Sequence, residues 1–328
     1  MKKQIERRQK MTDKDSIKEP LNAFPPADGF TKIYNFRKVP MGKNTSLEIY
    51  RCASVSCATE QDCNMFIEKY KFVSIVDLRK LGDASIKAGK NRTLKYFPRV
   101  EESKDNGCRQ TVNYNFFTKK TNKLLVNNNV YTWHGLKMIT SALFTICVYV
   151  IMKIVLFPWP KYRKDWKNYF IATHLRWIIA PFCVKKYGGP MGMTYQCMLE
   201  GSKEVIFNIL KTIAEPKNRP CVFHCASGKD RTGLVAMFLM ASAGCTREDI
   251  IHEYNKSEDW GISHTHAELI GAGGDGPNKY VDLDTKKNLA SPRWAMEATL
   301  DYLDKNYNGI EGYLDSIGFT KEWRAKLN

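Results

Sequence analysis

The stretch that decides the fold is HCASGKDRTG, which spans His224–Gly233. It follows the apolar run Cys221–Phe223, which is typical of a short buried strand. It precedes the apolar run Leu234–Ala243, which predicts a helix that stops at Gly244. The stretch is therefore predicted to be the turn between a central strand and a helix.

A cysteine and an arginine lie six positions apart in this turn, at Cys225 and Arg231. Successive backbone N–H groups of such a turn, together with the helix N-terminus, point at one spot and stabilise an anion there. The same field favours thiolate over thiol, and a guanidinium presents a planar fork to two phosphate oxygens. The pattern predicts a phosphate site with a nucleophilic sulfur. An inert buried cysteine is the alternative, and Arg231 and the glycines of the turn argue against it.

The C-x5-R spacing resembles the signature of the protein tyrosine phosphatase superfamily, and its GKDRTG continuation is similar to the IphP-type tyrosine/serine branch. Four further segments resemble elements of that branch in the expected order. They are Asn35–Arg37, Tyr50–Arg51, Val76–Arg79 and Gly312–Leu314 with Ile317–Gly318. The resemblance covers roughly Phe30 to Leu327 apart from a middle stretch. It implies the cysteine-based three-layer αβα fold with a helical insertion, and a phosphatase that needs no metal or cofactor. Its implied specificity is dual or triple: phosphotyrosine, phosphoserine or phosphothreonine, and phosphoinositide. A non-catalytic phosphate-binding scaffold is the alternative function.

The resemblance also implies roles for the turn. Cys225 would attack phosphorus and form a phosphocysteine intermediate, and Arg231 would bind the equatorial oxygens. Asp230 is the preferred general acid, as in the role proposed for the loop aspartate of this branch. The predicted substrate-binding residues are His224, Ala226, Ser227, Gly228, Lys229, Thr232 and Gly233.

The sequence offers alternatives for the general acid. The segment that often reads F-P-D in the family is Phe97-Pro98-Arg99 in this chain, so its aspartate is absent. Glu101 and Glu102 lie nearby and are alternatives to Asp230. Arg231 stabilises the carboxylate of Asp230, which would make it a poorer proton donor near neutrality.

Supporting roles are predicted for four more residues. Asp77 is a third alternative for the acid, but a structural ion pair with Arg79 beneath the turn is the preferred prediction. His224 is expected to orient the turn by hydrogen bonding rather than to transfer protons. Thr232 would either donate to the departing sulfur or only cap the helix.

The composition sets outer bounds on function. The chain has 328 residues, of which 43% are hydrophobic, and a net charge of +17. Its ten cysteines and the lack of a signal-peptide pattern favour a reducing, cytoplasmic setting. The positive charge indicates an acidic partner: a phosphorylated protein, a phosphoinositide or an anionic membrane surface. Nucleic acid is excluded because no reader motif is present. Lys229 adds positive charge to the predicted pocket floor, which favours ligands with several phosphates.

We predict a disordered basic tail at residues 1–20 and a single phosphatase domain at 21–328, interrupted by an apolar and basic helical insertion at 105–190. Within it, residues 138–157 contain one charge and are long enough to span a bilayer as a helix. A second apolar run, 170–184, is shorter. A lid or core helix is the preferred interpretation, and a hairpin at the membrane interface is the second. True spanning is the third. One crossing would split the domain, and two crossings would place the basic linker on the far side of the membrane.

Alternating strands and helices predict an α/β fold with a mostly parallel sheet. Strands are predicted at 32–36, 48–53, 73–78, 94–97 and 221–224, and helices at 59–70, 193–213, 246–257 and 291–307. Two weaker signals are discounted. Gly271–Gly276 satisfies G-x-G-x-x-G but follows no strand, and His252, His264 and His266 are too scattered to predict a metal site.

Overall fold

The computed structural model describes residues 29–42, 46–80, 91–101, 108–130, 190–258 and 291–327. The predicted tail at 1–20, the apolar runs 138–157 and 170–184, the glycine-rich stretch 271–276, His264 and His266 lie outside the described residues. So does most of the predicted insertion at 105–190.

The described strands are β1 (Arg37–Lys38), β2 (Ile49–Cys52), β3 (Ser74–Asp77), β4 (Arg99–Val100), β5 (Gln110–Asn113) and β6 (Cys221–His224). They form one sheet in the order β1-β2-β6-β3-β5-β4. Neighbouring strands are parallel except for β1 and β2, which are antiparallel. The sheet is therefore mostly parallel, and β6 lies in its interior with its carboxyl end between those of β2 and β3.

The described helices are α1 (Glu60–Asn64), α2 (Thr93–Tyr96), α3 (Lys119–Val130), α4 (Pro190–Gly201), α5 (Lys203–Ala214), α6 (Asp230–Ser242), α7 (Arg247–Asn255), α8 (Arg293–Tyr307), α9 (Ile310–Ser316) and α10 (Lys321–Ala325). A π-helical turn, Met65–Lys69, continues α1, and a 3₁₀ turn, Pro216–Asn218, precedes β6. Capping boxes begin α1 at Thr59 and α7 at Thr246, as the sequence predicts.

Two apolar clusters cover the two faces of the sheet. Cys221 and Phe223 of β6 pack into one, with side chains from α5 to α9. Val222, which points the opposite way, packs into the other with Cys63 of α1 and Phe97, which follows α2. Helices therefore lie on both faces, and the predicted three-layer α/β fold with a mostly parallel sheet is confirmed.

Two predicted strands are wrong. Residues 32–36 are irregular, and the strand begins only at Arg37. Asn35 there adopts a left-handed conformation with φ of 53°, which ends any extended run. Residues 94–97 belong to the single helical turn α2, where Phe97 N–H donates to Thr93 O at 2.8 Å. The Asn91 side chain accepts from Thr93 N–H and initiates that turn.

The predicted helix 193–213 is in fact two helices, because helical structure is interrupted at Ser202. The Ser202 hydroxyl donates to Phe116 O at 2.6 Å, and the backbone of Thr121 lies against Gly201 so closely that a Cβ there would be 2.5 Å from the Thr121 Cα. Strand β5 was not predicted. It lies within the range 105–190 yet pairs with β3, so the sheet reaches into that range. Pro292 is the N-cap of α8 rather than its first helical residue.

Candidate active site

The decisive stretch lies where the sequence predicts, at the carboxyl end of β6. His224 ends the strand, the turn follows, and α6 begins at Asp230. Cys225 is 1% exposed, and Gly228 N–H donates to its Sγ at 3.2 Å. A backbone amide aimed at the sulfur from within a tight turn favours negative charge on it.

Both glycines of the turn are needed for packing against their neighbours. Gly228 has φ of +69°, and a Cβ there would lie 2.4 Å from Cys52 O, so it permits close approach to β2. Gly233 lies in α6, where a Cβ would lie 2.9 Å from the ring of Tyr254. Both glycines thus serve packing of the turn and its helix against the scaffold.

Arg231 lies on the first turn of α6, and its side chain reaches the residue that follows β3. Its Nη1 donates to Leu78 O at 3.2 Å, and Phe117, which follows β5, places its ring centroid 5.5 Å from the Arg231 Cζ. The guanidinium is partly exposed and is held by one backbone oxygen and one aromatic face. Phe117 was missed from the sequence because β5 was missed.

Asp230 is the carboxylate closest in sequence to this guanidinium, and it is held by neighbours from two other elements. Tyr195 of α4 donates its hydroxyl proton to Asp230 Oδ1 at 2.6 Å, and the Lys229 Nζ lies 3.4 Å from the same oxygen. Tyr195 also shares a 2.8 Å hydrogen bond with Tyr254 of α7. The Lys229 side chain is 4% exposed, so its ammonium lies beside Asp230 rather than in solvent.

The predicted ion pair beneath the turn is confirmed. Arg79 donates to both carboxylate oxygens of Asp77 at 2.8 Å, and its remaining nitrogen donates to the hydroxyls of Ser54 and Ser56. Burial alone would raise the pKa of Asp77. The neighbouring His224 and Arg79 outweigh burial and hold that pKa below its usual value.

His224 is fully buried, and its Nδ1 donates to Cys225 O at 3.1 Å. Burial lowers its pKa to about 4, although Asp77 Oδ1 lies 3.9 Å from Nε2 and opposes the shift. The imidazole is therefore neutral near pH 7, which agrees with an orienting role. Thr232 is also fully buried, and its hydroxyl has no partner among the described residues.

Residues 185–328 match the model of a tyrosine phosphatase family. That range contains the whole turn, α6 and the helices that follow, whereas β1 to β5 precede it. The turn that carries Cys225 and Arg231 therefore lies inside the matched range.

Two proteins are similar to parts of the chain. A tyrosine-protein phosphatase from Nostoc commune is 30% identical over 135 residues, which is 40% of this chain and 46% of that protein. A candidate tyrosine-protein phosphatase from Cupriavidus necator is 29% identical over 93 residues, which is 28% of this chain and 33% of that protein. The chain matches less than half the length of either relative.

The alternative acids are placed differently from Asp230. Glu101 is exposed and follows β4, which β3 and β5 separate from β6. Three strand spacings, roughly 14 Å, thus lie between β4 and β6. Glu102 lies outside the described residues. Asp77 is paired with Arg79. Among the described candidates, Asp230 is the carboxylate that follows the turn directly and begins α6.

The described residues contain no cluster of histidine, cysteine or acidic side chains arranged to hold a metal ion. No helix among them combines the length and apolar character needed to cross a bilayer. No disulfide joins two of the described cysteines.

A set of polar residues behind the turn was not assigned a role from the sequence. Asn35 Nδ2 donates to the carbonyl oxygens of Ser227 and Gly228 at 3.1 and 3.2 Å. Arg51 Nη2 donates to Gly228 O at 2.6 Å. The available signal was that Asn35 and Arg51 belong to segments that resemble the branch, but nothing in the sequence said what they contact.

Proposed function

We propose that the protein is a cysteine-dependent phosphomonoester hydrolase that acts on phosphorylated protein through a phosphocysteine intermediate. The observation that carries the proposal is the Gly228 N–H aimed at the Cys225 Sγ in a turn whose next helix opens with Asp230 and Arg231. The similarity of residues 185–328 to a tyrosine phosphatase family supports phosphotyrosine as substrate. The same turn suits phosphoserine and phosphothreonine, because its backbone amides and Arg231 bind the phosphate group that all three substrates share.

In the first step the Cys225 thiolate attacks phosphorus, the S–P bond forms and the P–O bond to the leaving group breaks. Asp230 donates its proton to the departing oxygen. Arg231 and the amides of the turn hold the three equatorial oxygens as their charge redistributes. In the second step Asp230 accepts a proton from water, water attacks phosphorus, and inorganic phosphate and the thiolate are released. Thr232 would donate to the sulfur as it leaves.

Turnover of p-nitrophenyl phosphate tests the proposal. We expect hydrolysis that resists a chelator and that Cys225→Ser abolishes. Retained activity in that variant, or loss of wild-type activity with chelator, would reject the mechanism. Binding of a phosphopeptide without turnover would support the alternative of a non-catalytic phosphate-binding scaffold.

The acid is tested by leaving-group dependence. Asp230→Asn should slow hydrolysis of phenyl phosphate, a poor leaving group, far more than that of p-nitrophenyl phosphate. Equal slowing of both substrates would remove Asp230 from the role. Glu101→Gln is the matched control, and we expect it to leave both rates within about twofold of wild type.

A phosphoinositide at a membrane surface is the second candidate substrate, and the surface beside the turn favours it. Phe117 contacts Arg231, and two residues later α3 begins with the exposed Lys119 and Lys120. Such a basic helix end attracts anionic headgroups. A double Lys119→Gln and Lys120→Gln variant should lose rate on phosphoinositide vesicles and keep its rate on p-nitrophenyl phosphate. Lys321→Gln, on the exposed α10, is the control. Equal vesicle rates for both variants would reject the lipid candidate.

A further inference from the structure

Behind the turn lies a buried network of charge that the proposed chemistry does not use directly. Glu253 of α7 is 2% exposed and accepts from Arg37 Nε at 2.6 Å. Its same oxygen lies 3.4 Å from Arg51 Nη1, and Arg51 is fully buried. Arg37 also donates to Ser257 Oγ at 2.8 Å. Burying Arg51 and most of Arg37 around one glutamate is costly unless the geometry serves a purpose.

The network ends on the turn. Arg51 Nη2 donates to Gly228 O at 2.6 Å, and Gly228 is the residue whose N–H donates to the Cys225 Sγ. Asn35 holds the same carbonyl, and Arg37 in turn donates to the Asn35 side chain. The peptide groups of a turn that aims N–H groups inward must point carbonyl oxygens outward, and those oxygens need donors. Asn35 and Arg51 supply these donors.

The charge of Arg51 also acts on the Cys225 sulfur. Burial lowers the pKa of Arg51 to about 9, while Glu253 and the Cys225 sulfur act in the opposite direction. Arg51 therefore carries its charge at neutral pH, and its attraction to a thiolate at Cys225 is mutual. With Arg37, Arg51 and Glu253 together, the network has one net positive charge.

The other titratable groups around the sulfur do not cancel the net positive charge of this network. Cys52 ends β2 and interacts electrostatically with Cys225, but burial raises the pKa of Cys52, so it stays neutral. Burial keeps His224 neutral, and Arg79 neutralises Asp77. The remaining charged groups at the turn are Lys229, Asp230 and Arg231. Lys229 and Asp230 form an ion pair, so their charges offset each other.

We propose that Arg51, held in place by Glu253, which Arg37 anchors in turn, is a positioning residue that fixes the Gly228 peptide and supplies a second guanidinium charge near the Cys225 thiolate. The inference rests on the proposed function for its consequence in catalysis. Its effect on the sulfur does not, because alkylation of a thiol requires no turnover.

The test measures the pH at which Cys225 reaches half its maximal rate of alkylation by iodoacetamide, followed by mass spectrometry of its peptide, alongside kcat and KM for p-nitrophenyl phosphate. Arg51→Gln removes the charge and should raise the alkylation midpoint by about one pH unit and lower kcat/KM at least tenfold. Arg51→Lys keeps the charge but loses the planar fork. It should leave the midpoint within about 0.3 units and still lower kcat.

Glu253→Gln separates geometry from charge. It removes the negative partner, so the midpoint should fall or stay level, while kcat drops because Arg51 is no longer held. Lys256→Gln is the matched control. Its Nζ lies 3.6 Å from Glu253 Oε2 and is half-exposed. We expect the alkylation midpoint to stay within about 0.3 units and kcat/KM within about twofold of wild type. Arg324→Lys, a buried arginine distant in the chain, controls for general destabilisation.

An alkylation midpoint and a kcat/KM in Arg51→Gln that both match wild type would overturn the inference. If that variant does not fold, Arg51→Lys and Glu253→Gln decide it, since unchanged kcat in both contradicts a positioning role. A wild-type protein without phosphatase activity rejects the proposed function alone, and the alkylation shift then still tests the network.

Discussion

Tyr195 donates its hydroxyl proton to Asp230 Oδ1 across 2.6 Å, which joins α4 to the first residue of α6. Burial raises the pKa of Tyr195 well above its usual value, so the phenol remains a donor at every pH of interest. A short hydrogen bond from a buried phenol fixes the orientation of the carboxyl group that it contacts. The contact therefore positions the proposed acid at the start of α6.

Removing that hydroxyl should slow hydrolysis of substrates with poor leaving groups. In Tyr195→Phe the Asp230 side chain loses the hydrogen bond that orients it, so proton donation to the leaving group becomes less efficient. We expect kcat/KM on phenyl phosphate to fall about fivefold and kcat/KM on p-nitrophenyl phosphate to change by less than about twofold. Tyr254→Phe is the control, since the Tyr254 hydroxyl contacts Tyr195, and it should give a smaller loss. An unchanged rate on phenyl phosphate in Tyr195→Phe would contradict the orienting role of this contact.

Gly228→Ala tests the close approach of the turn to β2. The added Cβ would combine a left-handed backbone with an atom 2.4 Å from Cys52 O. We expect a loss of more than about 3 kcal/mol in urea unfolding and no measurable turnover. Gly244→Ala is matched in conformation, with φ of +76°, but its Cβ would meet nothing within 4 Å. It should cost only about 1 kcal/mol and leave the rate intact. Equal costs would show that contact with Cys52 is unimportant.

Arg79→Lys tests the buried pair beneath the turn. The lysine cannot replace the bidentate contact with Asp77 or reach both serines, and it leaves a buried carboxylate poorly paired. A loss of roughly 3 kcal/mol in the free energy of unfolding is expected. Arg247→Lys is the exposed counterpart, because Arg247 is paired with Asp301 and Asp304 at the surface. It should cost less than about 1 kcal/mol. Similar losses in the two variants would contradict the importance of burial.

Local chemistry made the centre of the fold predictable. Strand β6 has the bounds that the sequence predicts because a short apolar run flanked by a proline and a glycine-containing turn admits little else. The two helices that begin with a threonine and an aspartate three residues later were predicted at the correct N-caps, since the capping box is encoded within four residues.

Features that depend on tertiary contacts could not be predicted from the sequence. Strand β5 reads Gln-Thr-Val-Asn, which is too polar to predict a buried strand, yet Gln110 is buried because its side chain donates to the amide oxygen of Asn218. The helix break at Ser202 is fixed by Phe116 and Thr121, which are some eighty residues earlier in the chain. The contact between Tyr195 and Asp230 also joins residues far apart in the chain, and no pattern in the sequence indicates it.

His224 makes stability depend on pH in a window set by its own pKa. The unfolded chain binds a proton below about pH 6.5, whereas the folded chain holds this ring neutral down to about pH 4. The folded state therefore binds fewer protons between these values, and its stability falls as the pH drops through them. From pH 7 to pH 5 the contribution of this residue amounts to roughly 2 kcal/mol.

His224→Asn should remove that dependence and keep a donor to Cys225 O. Urea unfolding at pH 7 and pH 5 measures it: the wild type should lose roughly 2 kcal/mol more than the variant over this interval. His252→Asn serves as the control because this imidazole is exposed on α7, and it should follow the wild type. If His224→Asn and the wild type lose stability in parallel, the buried imidazole is charged in the folded protein. It would then form an ion pair with Asp77 rather than remain the neutral donor that orients the turn.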